Sequence, residues 1–208
     1  MLARSGRLPE QDGYAYEPKW DGFRAIVRCG REFRVRSRRG WNMASRLPEL
    51  AALSVDAVLD GELVALGDEG WPYFPLVCAR MLNGDTRIGL TYIVFDVLEF
   101  EGRQTIHLPY VERRRLLETL QLEGPHWRTS SSFDDGEAVF AVACERGLEG
   151  VVAKRLRASY RPGERGWLKI KNRAYWRYPL ELQAVRQRHD RSARAGDARR
   201  GERRGVPG

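Results

Sequence analysis

The stretch "YEPKWDGFRAIV", Tyr16–Val27, sets a lysine between a proline and a tryptophan, directly ahead of an Asp-Gly dipeptide. Pro18 fixes its own φ and biases Glu17 towards extended backbone. Asp21-Gly22 between two extended runs predicts a hairpin turn. Lys19 is therefore expected at the end of a strand, presented by a stiff backbone. Taken alone, the plainer reading of this stretch is an ordinary hairpin with a solvated lysine.

Working outward, "FRAIVRC" and "EFRVRS" alternate apolar and polar residues as half-buried strands do. "AVLDGELVAL" carries a second Asp-Gly and reads as a bent strand pair. "FPLVCARMLNG" reads as a helix with Phe74, Val77 and Met81 on one face and Gly84 near its end. "TYIVFDVLEF" is a continuous β-rich apolar run, expected as a central strand. Pro109 opens a helix through "YVERRRLLETLQL", stopped by Gly124-Pro125. A further helix, "GEAVFAVACERG", has Asp134 with Glu137 as a capping-box-like start and Gly147 as its C′ residue. "EGVVAKR" and "GWLKIKN" are the last two strands. Strands outnumber helices without regular alternation, which predicts an α+β domain of largely antiparallel sheets flanked by helices.

With 208 residues, 42% hydrophobic and 10% aromatic, the chain has room for one large domain or two small ones. No apolar run has membrane-spanning length, and "MLARSGRLPEQDG" lacks a signal-peptide core, so no membrane partner is expected. Cys29, Cys78 and Cys144 are far apart and form no CxxC pair. That pattern argues against a disulfide framework or a zinc site and fits a reducing cytoplasm. The net charge of +8 and pI of about 9.7 suggest a polyanionic partner. Residues 183–208 carry eight arginines against three acidic residues, so most of that charge sits in the tail. The domain is expected over 1–180, with 181–208 a disordered arginine-rich tail. Such a tail is either a solubilising end or a nucleic-acid arm.

The chemistry-bearing residues gather in short clusters. In a strand "GWLKIKN", Trp167, Lys169 and Lys171 share one face, and two such lysines suit a triphosphate or phosphodiester. A solvated edge-strand face is the commoner meaning of an isolated K-x-K. Glu62 and Glu149 each sit beside a glycine at a strand terminus. They are either surface charges or a pair of hard oxygen ligands for Mg²⁺. Phe95 is either a core aromatic or a stacking wall for a base.

In order the clusters are K-x-D-G-x-R (Lys19 to Arg24), S-R-x-G (Ser37 to Gly40), D-G-E (Asp60 to Glu62), F-D (Phe95, Asp96), E-G-V-V-x-K (Glu149 to Lys154) and K-x-K (Lys169, Lys171). This series resembles the signature of the covalent nucleotidyltransferases: ATP-dependent DNA ligases, RNA ligases and mRNA capping enzymes. "YEPKWDGFRA", "EGVVAKR" and "WLKIKN" are most similar to bacterial ATP-dependent DNA ligases, including those attached to end-joining polymerases. The resemblance spans roughly Met1 to Tyr178. It implies the DNA-ligase/mRNA-capping nucleotidyltransferase (ATP-grasp-like) fold, ATP as substrate, Mg²⁺ or Mn²⁺ as cofactor and nicked duplex DNA as partner.

The same resemblance makes Lys19 the nucleophile that takes AMP from ATP. A lysine attacks as the free amine, a form that neighbouring cations such as Arg24, Lys169 and Lys171 favour. By the resemblance, Lys169 and Lys171 touch the α-phosphate, and Arg24 and Arg38 lie near the nucleotide and the nicked strand. Phe95 stacks on adenine and Glu17 accepts a hydrogen bond from its amino group. Glu62 lies by the ribose or a metal, and Glu149 is a metal ligand. In this family an oligonucleotide-binding barrel follows the last motif, whereas the thirty-six residues after Asn172 are too few to build one. Slow adenylation is therefore expected, with DNA clamping supplied by a separate protein that also serves end joining, or in part by the tail. The alternatives are an RNA ligase or capping-like nucleotidyltransferase, and a weakly active module that binds nucleic-acid ends.

Overall fold

The computed structural model describes residues 1–68, 70–180 and 182–183. The chain divides into two compact units, Met1–Asn172 and Arg173–Gly208. The expected tail, 181–208, lies outside the described residues apart from 182 and 183.

The first unit opens with β1 (Ala3–Ser5), β2 (Tyr14–Pro18), β3 (Phe23–Cys29) and β4 (Arg34–Ser37). Two 3-10 turns lead to β5 (Ala57–Val64), then α1 (Phe74–Cys78) and a π-helical turn (Ala79–Asn83). There follow β6 (Thr91–Phe100), β7 (Arg103–Gln104), α2 (Tyr110–Thr119), β8 (Trp127–Thr129), α3 (Gly136–Glu145), β9 (Gly150–Arg155) and β10 (Trp167–Lys171). One sheet has the order β1-β10-β9-β2, and the other β4-β3-β5-β6-β7 with β8 added beside β6. All pairings are antiparallel except β1 with β10 and β6 with β8. Helix α2 packs on β6, and α3 on β2 and β9. This is the expected α+β architecture of largely antiparallel sheets flanked by helices.

Each sheet has its own core. Ala25, Val27, Leu59, Leu63 and Val94 of the larger sheet pack with Met43, Leu47 and Met81. Tyr16, Val151, Ala153 and Ile170 of the smaller sheet pack with Ala143 of α3. Fully burying such side chains stabilises by about 1.5–3 kcal/mol each.

The alternating runs became strands as expected: β3 and β6 have the bounds of "FRAIVRC" and "TYIVFDVLEF". Four local readings need correction. Asp21-Gly22 is not a hairpin turn. Neither residue has positive φ, which the favoured two-residue hairpin turns require, and β2 and β3 lie in different sheets. Ala15, Tyr16 and Glu17 are buried in succession, so both faces of β2 are covered and it pairs with β9. Residues 19–22 therefore cross from one sheet to the other, and Lys19 stands at that crossing. The second Asp-Gly lies inside one strand, β5, whose register with β6 slips between Asp60 and Gly61. Helix α2 ends at Thr119, five residues before Gly124, because the chain turns at Gln121 with φ of 47°. The cap of α3 is Asp135, which accepts from the Ala138 N–H, one residue later than expected. Gly147 takes φ of 62° just past its end, as its C′ reading requires.

Two motif glycines are demanded by close passage of backbone. A Cβ on Gly22 would lie 2.0 Å from the Leu63 carbonyl oxygen. Gly150 has φ of 137°, and a Cβ there would lie 2.0 Å from the Ile170 oxygen. Gly150→Ala combines a forbidden backbone region with overlap against β10, so it is expected to destabilise by about 3 kcal/mol or more. Urea unfolding of the two proteins checks this, and a loss below about 1 kcal/mol would contradict it.

Candidate active site

The crossing after β2 fixes Lys19 from two sides. Its backbone N–H donates to the Gly150 carbonyl at 2.8 Å. Its Nζ lies 2.5 Å from Glu149 Oε2, with 20% of the lysine side chain still exposed against 4% of the glutamate's. The other oxygen, Glu149 Oε1, is 3.4 Å from Lys171 Nζ. Register explains the grouping, because Lys171 pairs with Gly150 and Lys169 with Val152 across β9 and β10. Burial is the largest cause lowering both Lys169 and Lys171 from the ordinary lysine value, and the Lys19 charge acts in the same direction.

Glu62 projects from β5 into the same field. It is partly exposed as a residue, yet its carboxyl is pushed up to about 8. Burial is the largest cause, opposed by Lys19 and Arg24 and reinforced by Asp60 and Glu149.

A second group is centred on Arg24. Its guanidinium grips Asp60 through two bonds, Nε to Oδ1 at 2.9 Å and Nη2 to Oδ2 at 2.6 Å. Tyr160 closes the group, donating its hydroxyl to Asp60 at 2.8 Å and accepting from Arg24 at 3.1 Å. Arg24 also stacks over the rings of Phe95 and Trp167, at 5.6 and 5.2 Å from their centroids. Phe95 meets Trp167 edge to face at 5.7 Å.

A third group surrounds Glu17, only 2% exposed. Its Oε1 accepts from Lys154 Nζ and from the Tyr110 hydroxyl, each at 2.6 Å. Lys154 donates also to the Phe95 carbonyl at 3.0 Å.

The structure brings Lys19, Glu149, Lys169 and Lys171 together, and Glu62 stands within their electrostatic reach. Arg24 is present but is not the free cation expected beside Lys19, since Asp60 compensates its charge. Arg38 is exposed on the turn after β4, where its charge is felt by Lys169. Glu17 is held by protein donors at Oε1, and Phe95 is partly buried against Trp167. Asp60, Lys154, Tyr110 and Tyr160 were given no role, and Trp167 was placed only on the strand face that carries Lys169 and Lys171. Asp60 and Lys154 stand inside quoted motifs. Tyr110 and Tyr160 carried no such signal.

Among the described residues there is no cluster of three or more His, Cys, Asp or Glu side chains poised for a metal. Glu62 and Glu149 still offer hard oxygen donors, and the Glu149 charge adds to the cost of ionising Glu62. This donor chemistry suits Mg²⁺, which keeps several waters and uses one or two carboxylates together with substrate phosphates. No helix among the described residues is long and apolar enough to cross a membrane.

Comparison with known proteins identifies a family for the chain. The family model for the ATP dependent DNA ligase domain matches residues 2–171. The multifunctional non-homologous end joining DNA repair protein LigD of Mycobacterium tuberculosis is 37% identical over 182 residues, 83% of this chain and 24% of the relative. The SPbeta prophage-derived DNA ligase-like protein LigB of Bacillus subtilis is 32% identical, over 84% of this chain and 67% of that protein. Among solved structures, mycobacterial DNA ligase D complexed with ATP and MES superposes with a TM-score of 0.71 at 34% identity, covering 82% of this chain and 58% of the other. The ligase domain of M. tuberculosis LigD gives 0.72 over 82% and 59%. The chain thus spans about a quarter of the length of the LigD relatives it matches. With a family match over nearly all of the first unit, the chain belongs to the ATP-dependent DNA ligase domain family.

Proposed function

We propose that the chain is the adenylation domain of a DNA ligase. Lys19 Nζ attacks the α-phosphorus of ATP, a P–N bond forms as the P–O bond to pyrophosphate breaks, and a lysyl–AMP phosphoramidate results. AMP then passes to the 5′-phosphate of nicked duplex DNA, and the 3′-hydroxyl displaces it to join the strands in repair. The observation that carries this reading is the contact of Lys19 with Glu149 and, through it, with Lys171. It sets a strand-end amine beside a carboxylate able to take its proton and beside cations able to stabilise charge on phosphoryl oxygens. Lys169 and Lys171, partly desolvated, hold the phosphates. Phe95 and Glu17 hold the base, by stacking and by accepting from the adenine amino group. The Glu17 carboxylate would repel the guanine carbonyl oxygen, which favours ATP over GTP.

Glu62 and Glu149 are the residues that would hold Mg²⁺ (or Mn²⁺). When bound, the ion neutralises charge on the transferring phosphoryl group. Glu149, in contact with Lys19 Nζ, takes its proton and leaves the amine free to attack. A second protein that clamps DNA or recruits ends would complete the sealing step, and a cytoplasmic setting suits this work.

The test of the nucleophile is intact mass. Protein incubated with ATP and Mg²⁺ should gain one AMP, or carry it as purified, and Lys19→Ala should gain none. Labelling that survives this substitution would remove Lys19 from the mechanism.

The carboxylate pair predicts a pH dependence. The unfolded-state value for Glu62 is near 4.5 and the folded one is about 8, so folding favours the protonated form. Its stabilising contribution is fully present below 4.5 and is lost as pH rises through about 8. Without metal, wild-type stability should decline across this window, and Glu62→Gln should flatten the decline. Ligation requires the carboxylate, so the Mg²⁺ concentration for half-maximal labelling should fall as pH rises towards 8. Urea midpoints and Mg²⁺ titrations at several pH values measure both effects. Identical profiles for wild type and Glu62→Gln would return Glu62 to a surface role.

A further inference from the structure

The group around Glu17 contains a lysine for which the phosphoryl chemistry has no use. Lys154 is 2% exposed and is the penultimate residue of strand β9. Its ammonium makes two hydrogen bonds, to Glu17 Oε1 at 2.6 Å and to the Phe95 carbonyl oxygen at 3.0 Å. Three aromatic rings enclose the rest: Trp167 at 4.6 Å, Phe95 at 4.7 Å and Tyr110 at 5.1 Å from Nζ to centroid. A cation is attracted to ring faces at such distances. Tyr110 in turn donates to the same Glu17 oxygen.

The two contacts of Lys154 have separate effects. Both donors on Glu17 converge on Oε1, and fixing one oxygen of a planar carboxylate fixes the direction of the other. The bond to the Phe95 carbonyl ties β9 of the smaller sheet to β6 of the larger one, at the residue whose ring stacks on the base in the reading above. One buried ammonium therefore sets both the edge-reading carboxylate and the stacking wall. We infer that Lys154 is the positioning residue for base selection, holding Glu17 and Phe95 in the register that accepts adenine. This rests on the proposed adenylation at Lys19 for the identity of the base, though Lys154 takes no part in the transfer.

The experiment separates selection from chemistry by measuring two quantities on the full chain. The first is the affinity of ATP and of GTP by calorimetry. The second is covalent transfer from each nucleotide, followed by intact mass as KM and kcat. Lys154→Met keeps the stem and removes the charge. It should weaken ATP by about tenfold or more, the usual effect of losing a hydrogen bond to a charged group. GTP should change far less, so the ATP-to-GTP ratio should collapse. The loss should fall on KM, with kcat at saturating ATP nearly kept. Lys154→Arg, which retains the cation, should recover part of the ratio. Tyr110→Phe removes the second donor from Oε1 and should shift the ratio the same way by a smaller factor.

In a Glu17→Gln background, Lys154→Met should change the ratio no further, because the two residues act as one unit. This double variant also leaves no unpaired buried charge, so it remains informative should the single variant fail to fold. Three results would overturn the inference: an unchanged ratio in Tyr110→Phe and Lys154→Met, additive losses in the double variant, or a wild type that binds GTP as well as ATP. A wild type that prefers ATP in a Lys154-dependent way but acquires no AMP on Lys19 would instead overturn the adenylation reading and leave this inference standing.

Discussion

A charge taken out of water has to meet an opposite charge, and such pairs run through the first unit. Among them are Lys19–Glu149, Arg24–Asp60, Arg113–Asp96 and Lys154–Glu17. Removing one partner of a buried pair typically costs about 3–5 kcal/mol, because the survivor is stranded in low dielectric. Two of these pairs join residues more than a hundred positions apart, at the ends of neighbouring strands β2 and β9. They form only when β2 and β9 are in register, so the electrostatics and the sheet topology enforce one another.

The pairs differ in what they leave available. Arg113–Asp96 is wholly enclosed, and Arg113 spends a further donor on the Leu108 carbonyl, which ties α2 to the loop before it. Arg24–Asp60 is nearly as complete, with Tyr160 bonded to both partners. In Lys19–Glu149 a fifth of the lysine side chain stays exposed, and the carboxylate is shared with a second lysine. The gradient from saturated to shared pairs leads from scaffold to the amine proposed to react.

Much of this was legible in the sequence, for a definite reason. Alternation in "FRAIVRC" and the apolar run "TYIVFDVLEF" follow from which faces are buried, so β3 and β6 emerged with correct bounds. The spacing of Lys169 and Lys171 gave their shared face. What failed was the choice of strand partner. Asp21-Gly22 carries hairpin chemistry, but both faces of β2 are buried, and that tertiary demand sent the next strand to another sheet. Lys154 and Asp60 stood in the motifs without a role, because a charged residue in one sequence reads first as solvated, and a buried partner distant along the chain leaves no local trace. The motif glycines were visible, but not the carbonyl oxygens of Leu63 and Ile170 that make them obligatory.

Glu17, Pro18 and Lys19 form three consecutive residues at the end of β2, with the ring of Pro18 removing torsional freedom between the other two. On the reading proposed here, the base is recognised at the first of them and the phosphate is attacked from the third. The segment then works as a ruler. A nucleotide must offer the right edge and also the right distance from that edge to its α-phosphorus, since misplacement by about 1 Å can cost a hundredfold in rate. Sugar pucker and glycosidic angle would thus be inspected without any side chain touching the ribose.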